Sequence, residues 1–173
     1  LIKDKNLPNK CLLLIPHRFA IGCIERGWVL RNDIVWAKRN GTPESVTDRF
    51  SKKHEYMFFF VKNEKYHFDL NAVKDRNEQG GRNPGTVSDF WDIPTKPNKL
   101  NHFATYNESL ISKPILAGCP EGGIIYDPFM GTGSTAEAAF KAGRKYIGSE
   151  MSEEYCKIAE KRLKALTSQL NLF

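Results

Sequence analysis

The spacing of apolar positions changes several times along the chain, and each change marks an element. Between Cys11 and Arg26, Leu12, Ile15, Phe19, Ala20, Cys23 and Ile24 recur at helical spacing. Pro16 is compatible only with a first turn, so the pattern predicts a helix that begins near Pro16 and stops at Gly27. Trp28–Trp36 mixes β-branched and aromatic residues and predicts a strand. Ala37–Lys53, with Gly41, Pro43 and several charges, predicts a loop. Glu55–Lys62 (EYMFFFVK) predicts a second, strongly apolar strand, which Tyr66–Asp69 is expected to extend after a turn at Asn63-Glu64. Ala72–Asn101 loses any period. Gln79–Gly85 gives a flexible-loop signal, and Trp91-Asp92-Ile93-Pro94 is a short apolar anchor within the stretch. Thr105–Ala117 predicts a helix kinked or broken at Pro114.

The pattern is sharpest from Gly123 to Glu150. Ile124, Ile125 and Tyr126 form a short apolar run that suits a buried strand, with Asp127 at its end. Gly131 and Gly133 give a tight turn. Ser134 and Thr135 are expected to cap a helix over Ala136–Ala142, which Gly143 ends. Lys145–Gly148 predicts a second strand, with Glu150 at its end. A last helix is expected over Ser152–Leu166. Ser152 would cap it, and Glu153 and Glu154 suit its first turn. Lys161, Arg162 and Lys164 suit its last turn, and Tyr155, Ile158, Ala159, Leu163 and Leu166 form its core stripe. A strand, a glycine turn, a helix, a strand and an acid form a unit that holds a nucleoside-bearing cofactor at the carboxyl ends of parallel strands. The glycines let backbone approach the ligand, and the acid can accept hydrogen bonds from two ribose hydroxyls. Gly131-Thr132-Gly133-Ser134-Thr135-Ala136 is neither the dinucleotide fingerprint nor a phosphate loop. A generic glycine turn is the plain alternative; Asp127-Pro128-Phe129 and Glu150 count against it.

Composition adds a direction. The 173 residues are enough for one domain with a real core. The net charge is +6, and residues 1–66, with 13 basic and 7 acidic side chains, hold all of it. Residues 67–173 carry 13 of each. A basic half joined to a neutral half suits a protein that meets phosphate on one side, although ordinary surface charge would give the same total. Cys11, Cys23, Cys119 and Cys156 make no C-x-x-C pair, so reduced thiols in a cytoplasmic protein are expected, and no metal site. No apolar run approaches the roughly 20 residues that span a bilayer, and no secretory signal is visible. The chain starts at Leu1 rather than Met, so a preceding segment is expected.

Asp127-Pro128-Phe129-Met130-Gly131-Thr132-Gly133-Ser134-Thr135 resembles the S-adenosylmethionine (SAM) motif of the amino-group DNA methyltransferases, which write N6-methyladenine or N4-methylcytosine. Other stretches are similar to the same family: Gly27–Lys38, Thr42–Arg49, Lys53–Tyr56, His102–Tyr106 with Leu110, and Ala117–Gly123. Asn107 stands where many relatives carry proline. The motif lies toward the carboxyl terminus, as in the permuted group called the beta class. The resemblance implies an α/β fold, a Rossmann-like methyltransferase sheet with helices on both faces, incomplete at its amino-terminal side. Residues 1–71 would supply catalytic-domain strands and a helix, 72–101 a loop-rich target-recognition segment, and 102–173 the SAM-binding half.

By the same resemblance, SAM would be held by Asp127, Phe129, Gly131, Gly133, Ser134, Thr135 and Glu150, with His102, Phe103 and Thr105 toward its methionine end. The substrate would be double-stranded DNA with its target base flipped out, in a restriction–modification or related system. Lys38, Arg39, Arg49, Lys52 and Lys53 would touch phosphates, and His54 with Glu55 would lie near the base or strand. These enzymes carry an Asp/Ser/Asn-Pro-Pro-aromatic tetrad that accepts hydrogen bonds from the base's amino group and stacks on its ring. No two of the nine prolines here are adjacent. The tetrad is therefore expected in an upstream segment of the same polypeptide or in a partner chain, with a homodimer left open. A non-catalytic nucleic-acid-binding module, or an RNA or small-molecule methyltransferase, would use the same cofactor unit.

Overall fold

The computed structural model describes residues 7–41, 44–74, 87–95, 106 and 108–170. The chain divides into two compact units, Leu1–Ile34 with Tyr56–Tyr66, and Val35–Glu55 with His67–Phe173.

In the first unit, helix α1 (Ile15–Glu25) opens from a left-handed Leu14 with Pro16 in its first turn. Proline fits there because the first-turn amides have no helical partner. The helix stops at Gly27, whose φ of +88° is open to glycine at no steric cost. Trp28 then donates its amide back to the Cys23 carbonyl at 3.1 Å. Strand β1 (Val29–Ala37) and strand β2 (His54–Val61) follow; Val35–Ala37 of β1 and His54–Glu55 of β2 belong to the second unit. The two-residue period of a strand sets Tyr56, Phe58 and Phe60 on one face of β2. Tyr56 and Phe58 stack at 6.3 Å between centroids. His17 of α1 stands edge-on to Tyr56 at 4.6 Å, and Phe19 and Trp28 both meet Phe60 edge-on. This aromatic row is the surface on which α1 packs. Tyr66 does not extend β2. Its ring turns back edge-on to Phe59, and its hydroxyl accepts a bond from Arg31 Nε at 2.9 Å.

In the second unit, strand β3 (Phe90–Asp92) pairs parallel with β1, in register Val35↔Phe90, Trp36↔Trp91 and Ala37↔Asp92. The strand order is β2-β1-β3. The sequence shows only an apolar anchor here, because three residues are too few to display a period. Burial makes the strand: Trp36, Trp91 and Ile93 are all buried. Trp36 Nε1 donates to the Ile93 carbonyl at 2.7 Å. The Asn40 side chain continues the ladder, donating to the Thr95 carbonyl at 2.7 Å and accepting the Thr95 amide at 2.8 Å. The Tyr66–Asp69 stretch is not a strand; the Asp69 amide bonds the Ala117 carbonyl at 2.8 Å, and its carboxylate caps a single 3-10 turn at Asn71–Val73.

Helix α2 (Glu108–Gly118) runs unbroken through Pro114. Pro114 lies on the exposed side of the helix. Buried Leu110, Ile115 and Ala117 hold the helix together across it. Strand β4 (Ile124–Asp127), helix α3 (Ser134–Lys141) and strand β5 (Lys145–Gly148) form a parallel crossover unit, in register from Ile124↔Lys145 to Asp127↔Gly148. Ala136 and Ala139 of α3 are fully buried, small enough to let the helix sit close. Gly143, at φ +69°, ends the helix. Helix α4 (Glu153–Leu170) is capped by Ser152, whose hydroxyl accepts the Tyr155 amide at 3.3 Å. Among the described residues no helix is long and apolar enough to cross a membrane.

The bond from Trp36 to Ile93 ties β1 to the segment after β3 within a buried site. Trp36→Phe keeps most of the apolar surface but strands the Ile93 carbonyl, so stability should fall by about 1–3 kcal/mol. Urea unfolding monitored by circular dichroism checks this.

Candidate functional site

The site grows from the turn between β4 and α3. Because β4 and β5 are parallel and in register, their carboxyl ends lie at one edge of the pair. The ladder runs on past both strands, with the Ser149 amide bonded to the Asp127 carbonyl at 3.0 Å and the Met130 amide to the Ser149 carbonyl at 2.9 Å. Met130 turns inward and is buried against Gly148, where a Cβ would overlap its side chain. Phe129 turns outward and is 86% exposed. Gly131 and Gly133 follow with φ of +54° and +85°.

Gly133 itself is the residue from which α3 starts, and no side chain caps that end. Ser134 and Thr135 are therefore the first helical residues rather than its caps. The left-handed glycine turns the chain directly into the helix, which frees both hydroxyls for other partners. Thr135 donates to Asp127 Oδ2, and Ser134 accepts a bond from Arg162 Nη1 at 3.3 Å. Gly133 also faces α4: a Cβ there would lie 3.0 Å from the Cβ of Ala159.

Two carboxylates frame the turn. Glu150 lies two residues past β5; it accepts the Ser152 amide at 2.8 Å on one oxygen and the Gly131 amide at 2.8 Å on the other. These backbone donors hold its carboxyl below the usual carboxylate range, Ser152 contributing most and Gly131 next. Asp127 accepts the Phe129 amide at 2.9 Å on Oδ1 and the Tyr106 hydroxyl at 3.4 Å on Oδ2, beside Thr135. Tyr106 and Thr135 also share a hydrogen bond. Burial first, and then the charge of Asp127, push the Tyr106 phenol above its ordinary value, so it stays protonated as a donor.

The structure thus gathers Asp127, Gly131, Gly133, Ser134, Thr135 and Glu150 around one turn. His102, Phe103 and Thr105 lie outside the described residues. Sequence reasoning did not single out Tyr106, although it ends the His102–Tyr106 block, nor the fully exposed Met151 beside Glu150. It took Arg162 for a charge at a helix end.

The basic residues are largely engaged with the chain itself. Lys38 pairs with Glu55 and sits 4.9 Å from the Trp36 ring centroid. Arg39 pairs with Asp92, and Arg49 with Glu44 at 2.9 Å. Lys53 Nζ bonds the Gly41 carbonyl at 3.1 Å. Lys52 gives its backbone amide to Glu44 at 3.3 Å, and its ammonium makes no ion pair among the described residues. His54 opens β2. Each of the three ion pairs has one partner more than half exposed to solvent, which screens it.

A parallel strand–glycine turn–helix–strand unit with an acid fixed at its edge defines the class: an α/β protein that binds a nucleoside-bearing cofactor. The profile of the DNA methylase family matches residues 2–161. Type II methyltransferase M.Cfr9I of Citrobacter freundii is 43% identical over 160 residues, which cover 92% of this chain and 52% of that protein. Type II methyltransferase M.XycI of Xanthomonas campestris pv. cyanopsidis is 39% identical over 165 residues, 95% of this chain and 54% of that protein. The crystal structure of the M1.HpyAVI–SAM complex superposes with a TM-score of 0.68 at 28% identity, covering 88% of this chain and 71% of that one. The chain belongs to the N6/N4 DNA methylase family, and it spans about half the length of the curated relatives it matches.

Glu150 sets a pH signature. Its carboxyl lies lower in the folded state than in the unfolded one, so its contribution is full above the ordinary carboxylate range and is lost as pH falls through the folded value. Acid titration followed by amide NMR should shift Gly131 and Ser152 with one common midpoint, and Glu150→Gln should abolish that shared titration.

Proposed function

We propose that this chain is the SAM-binding portion of a DNA methyltransferase that modifies the exocyclic amino group of adenine (N6) or cytosine (N4), in a restriction–modification or related system. The observation that carries this reading is Glu150, an ionised acid fixed by the Gly131 and Ser152 amides at the carboxyl edge of parallel β4 and β5, in a chain of this family.

The residues present suit SAM chemically. Each Glu150 oxygen holds one backbone amide and keeps lone-pair capacity for a ribose hydroxyl. Asp127, steadied by Thr135 and the Phe129 amide, offers a second carboxylate for the ammonium end or its hydrogen-bond network. Phe129 and Met151, both exposed beside those acids, offer apolar surface to an adenine ring. His102, Phe103 and Thr105 are assigned to the methionine end by resemblance. Bound SAM supplies an electrophilic methyl group on a sulfonium. The turn's task is to orient that group and keep water from it.

Acceptors for the base's amino group come from the Pro-Pro tetrad, which this sequence does not contain. An upstream segment of the same polypeptide, or a partner chain, supplies it and completes the sheet. The apolar side chains left open on the two cofactor strands support this: Ile124, Tyr126 and Ile147 are more than half exposed. The DNA substrate is double-stranded with the target base extruded for stacking and hydrogen bonding. Residues 72–101, of which 75–86 and 96–101 lie outside the described residues, serve target recognition. Lys38, Arg39, Arg49, Lys52, Lys53 and His54 form the strand-facing set in a cytoplasmic protein.

Labelled SAM and mixed duplex DNA should give methyl transfer with a form extended at the amino terminus and none with residues 1–173 alone. Robust transfer by the short chain would sink the division of labour. In calorimetry on the extended form, Glu150→Gln should weaken SAM at least about tenfold, as expected for losing hydrogen bonds to a charged group.

Phosphate contact has its own readout. Lys52 and Lys53 are the least committed of the basic set, so replacing both with alanine should flatten the log–log salt dependence of DNA binding by about one per lost contact. An unchanged slope would move the DNA face elsewhere.

A further inference from the structure

We propose that Arg162 of α4 is the positioning residue of the glycine turn, holding it in the shape that receives the cofactor; this rests on the SAM reading above. Arg162 Nη1 donates to the Thr132 carbonyl at 3.2 Å and to Ser134 Oγ at 3.3 Å. Nη2 of the same guanidinium pairs with Glu137 of α3 at 2.5 Å. One planar group therefore grips the middle of the turn, the first residue of the helix after it, and that helix one turn further on.

A second contact lies on the same face of α4. Ala159 stands three residues before Arg162, and the missing Cβ of Gly133 lets the turn seat directly against it. Ala159 limits how close the turn can come, while Arg162 and the Gly133 amide bond to the Met130 carbonyl at 3.0 Å hold the Thr132–Gly133 peptide from its two ends. In the same turn the Gly131 amide meets Glu150 at 2.8 Å. The grip is braced from behind. Glu137 also pairs with Lys141 at 2.9 Å, and Lys141 reaches Glu108 of α2 at 2.9 Å. Burial pushes the Glu137 carboxyl up, but Lys141 and Arg162 override it and hold it below the usual range.

The sequence groups Arg162 with Lys161 and Lys164 at a helix end. The helix instead continues to Leu170, so Arg162 sits two turns inside it, beyond the reach of the terminal dipole. Lys161 and Lys164 are exposed, whereas Arg162 is half-buried. Arg162 also lies one residue past the stretch matched by the family profile.

The test uses the full chain and compares Arg162→Met, Arg162→Lys and, as a control on the same helix, Lys161→Met. Amide hydrogen exchange is read at Gly131, Gly133 and Glu137, with amides of β1 and β2 as reference, and SAM binding is read by calorimetry. Arg162→Met should speed exchange at the three turn amides about tenfold and weaken SAM by a similar factor, leaving the reference amides unchanged. Arg162→Lys should restore the melting temperature, because an ammonium can still pair with Glu137. It should not restore turn protection, because it cannot also span Thr132 O and Ser134 Oγ. Lys161→Met should change neither. Exchange in Arg162→Met that is unaltered, or that rises equally in β1 and β2, overturns the proposal; if that variant does not fold, full turn protection in Arg162→Lys does so. If the parent chain binds no SAM, the cofactor reading fails, and the exchange comparison alone decides the role of Arg162.

Discussion

The parallel pairing of β4 with β5 is the constraint on which the site depends. A parallel pair brings both carboxyl ends to one edge, and the register Asp127↔Gly148 places Asp127 at that edge with Glu150 two residues beyond its partner. An antiparallel pair would send the two acids to opposite ends. The crossover helix lies close because Ala136 and Ala139 are small and fully buried. The two glycines answer different demands within the turn that leads to it. Gly131 takes a left-handed backbone in open space, while Gly133 also makes way for Ala159.

Around this edge the polar groups hold one another rather than waiting free. Glu150 binds two backbone amides, Asp127 binds an amide and two hydroxyls, and Arg162 binds a carbonyl, a hydroxyl and a carboxylate. Such preorganisation lowers the ordering cost of a bound ligand, because the acceptors are already in place. It also means that the acids have a structural role, so substitutions there change the turn as well as the contacts with a ligand. The pairs of Lys38, Arg39 and Arg49 differ in kind: each has at least one well-exposed partner, so solvent screens them.

The two units are held by different chemistry. In the first, an aromatic row on β2 meets His17, Phe19 and Trp28 edge-on. In the second, buried alanines, Trp36 and Trp91 form the core, and the bond from Trp36 to Ile93 secures a strand too short to stand by local preference.

By itself the sequence determined the two strands and helix of the cofactor unit, the acids at its edge, the family, and the lack of the Pro-Pro tetrad, because each is written in consecutive residues with a clear period or motif. It also placed α1, its proline-bearing first turn and its glycine stop. Only the tertiary structure decided what local preference cannot see. Pro114 stays inside α2 because buried neighbours outweigh the lost hydrogen bond. Residues 90–92 become a strand because their tryptophan is buried beside β1. Ser134 and Thr135 leave the capping role to a left-handed glycine and serve Arg162 and Asp127 instead. Those partners lie 28 and 8 residues away along the chain, and only folding brings them within hydrogen-bond distance.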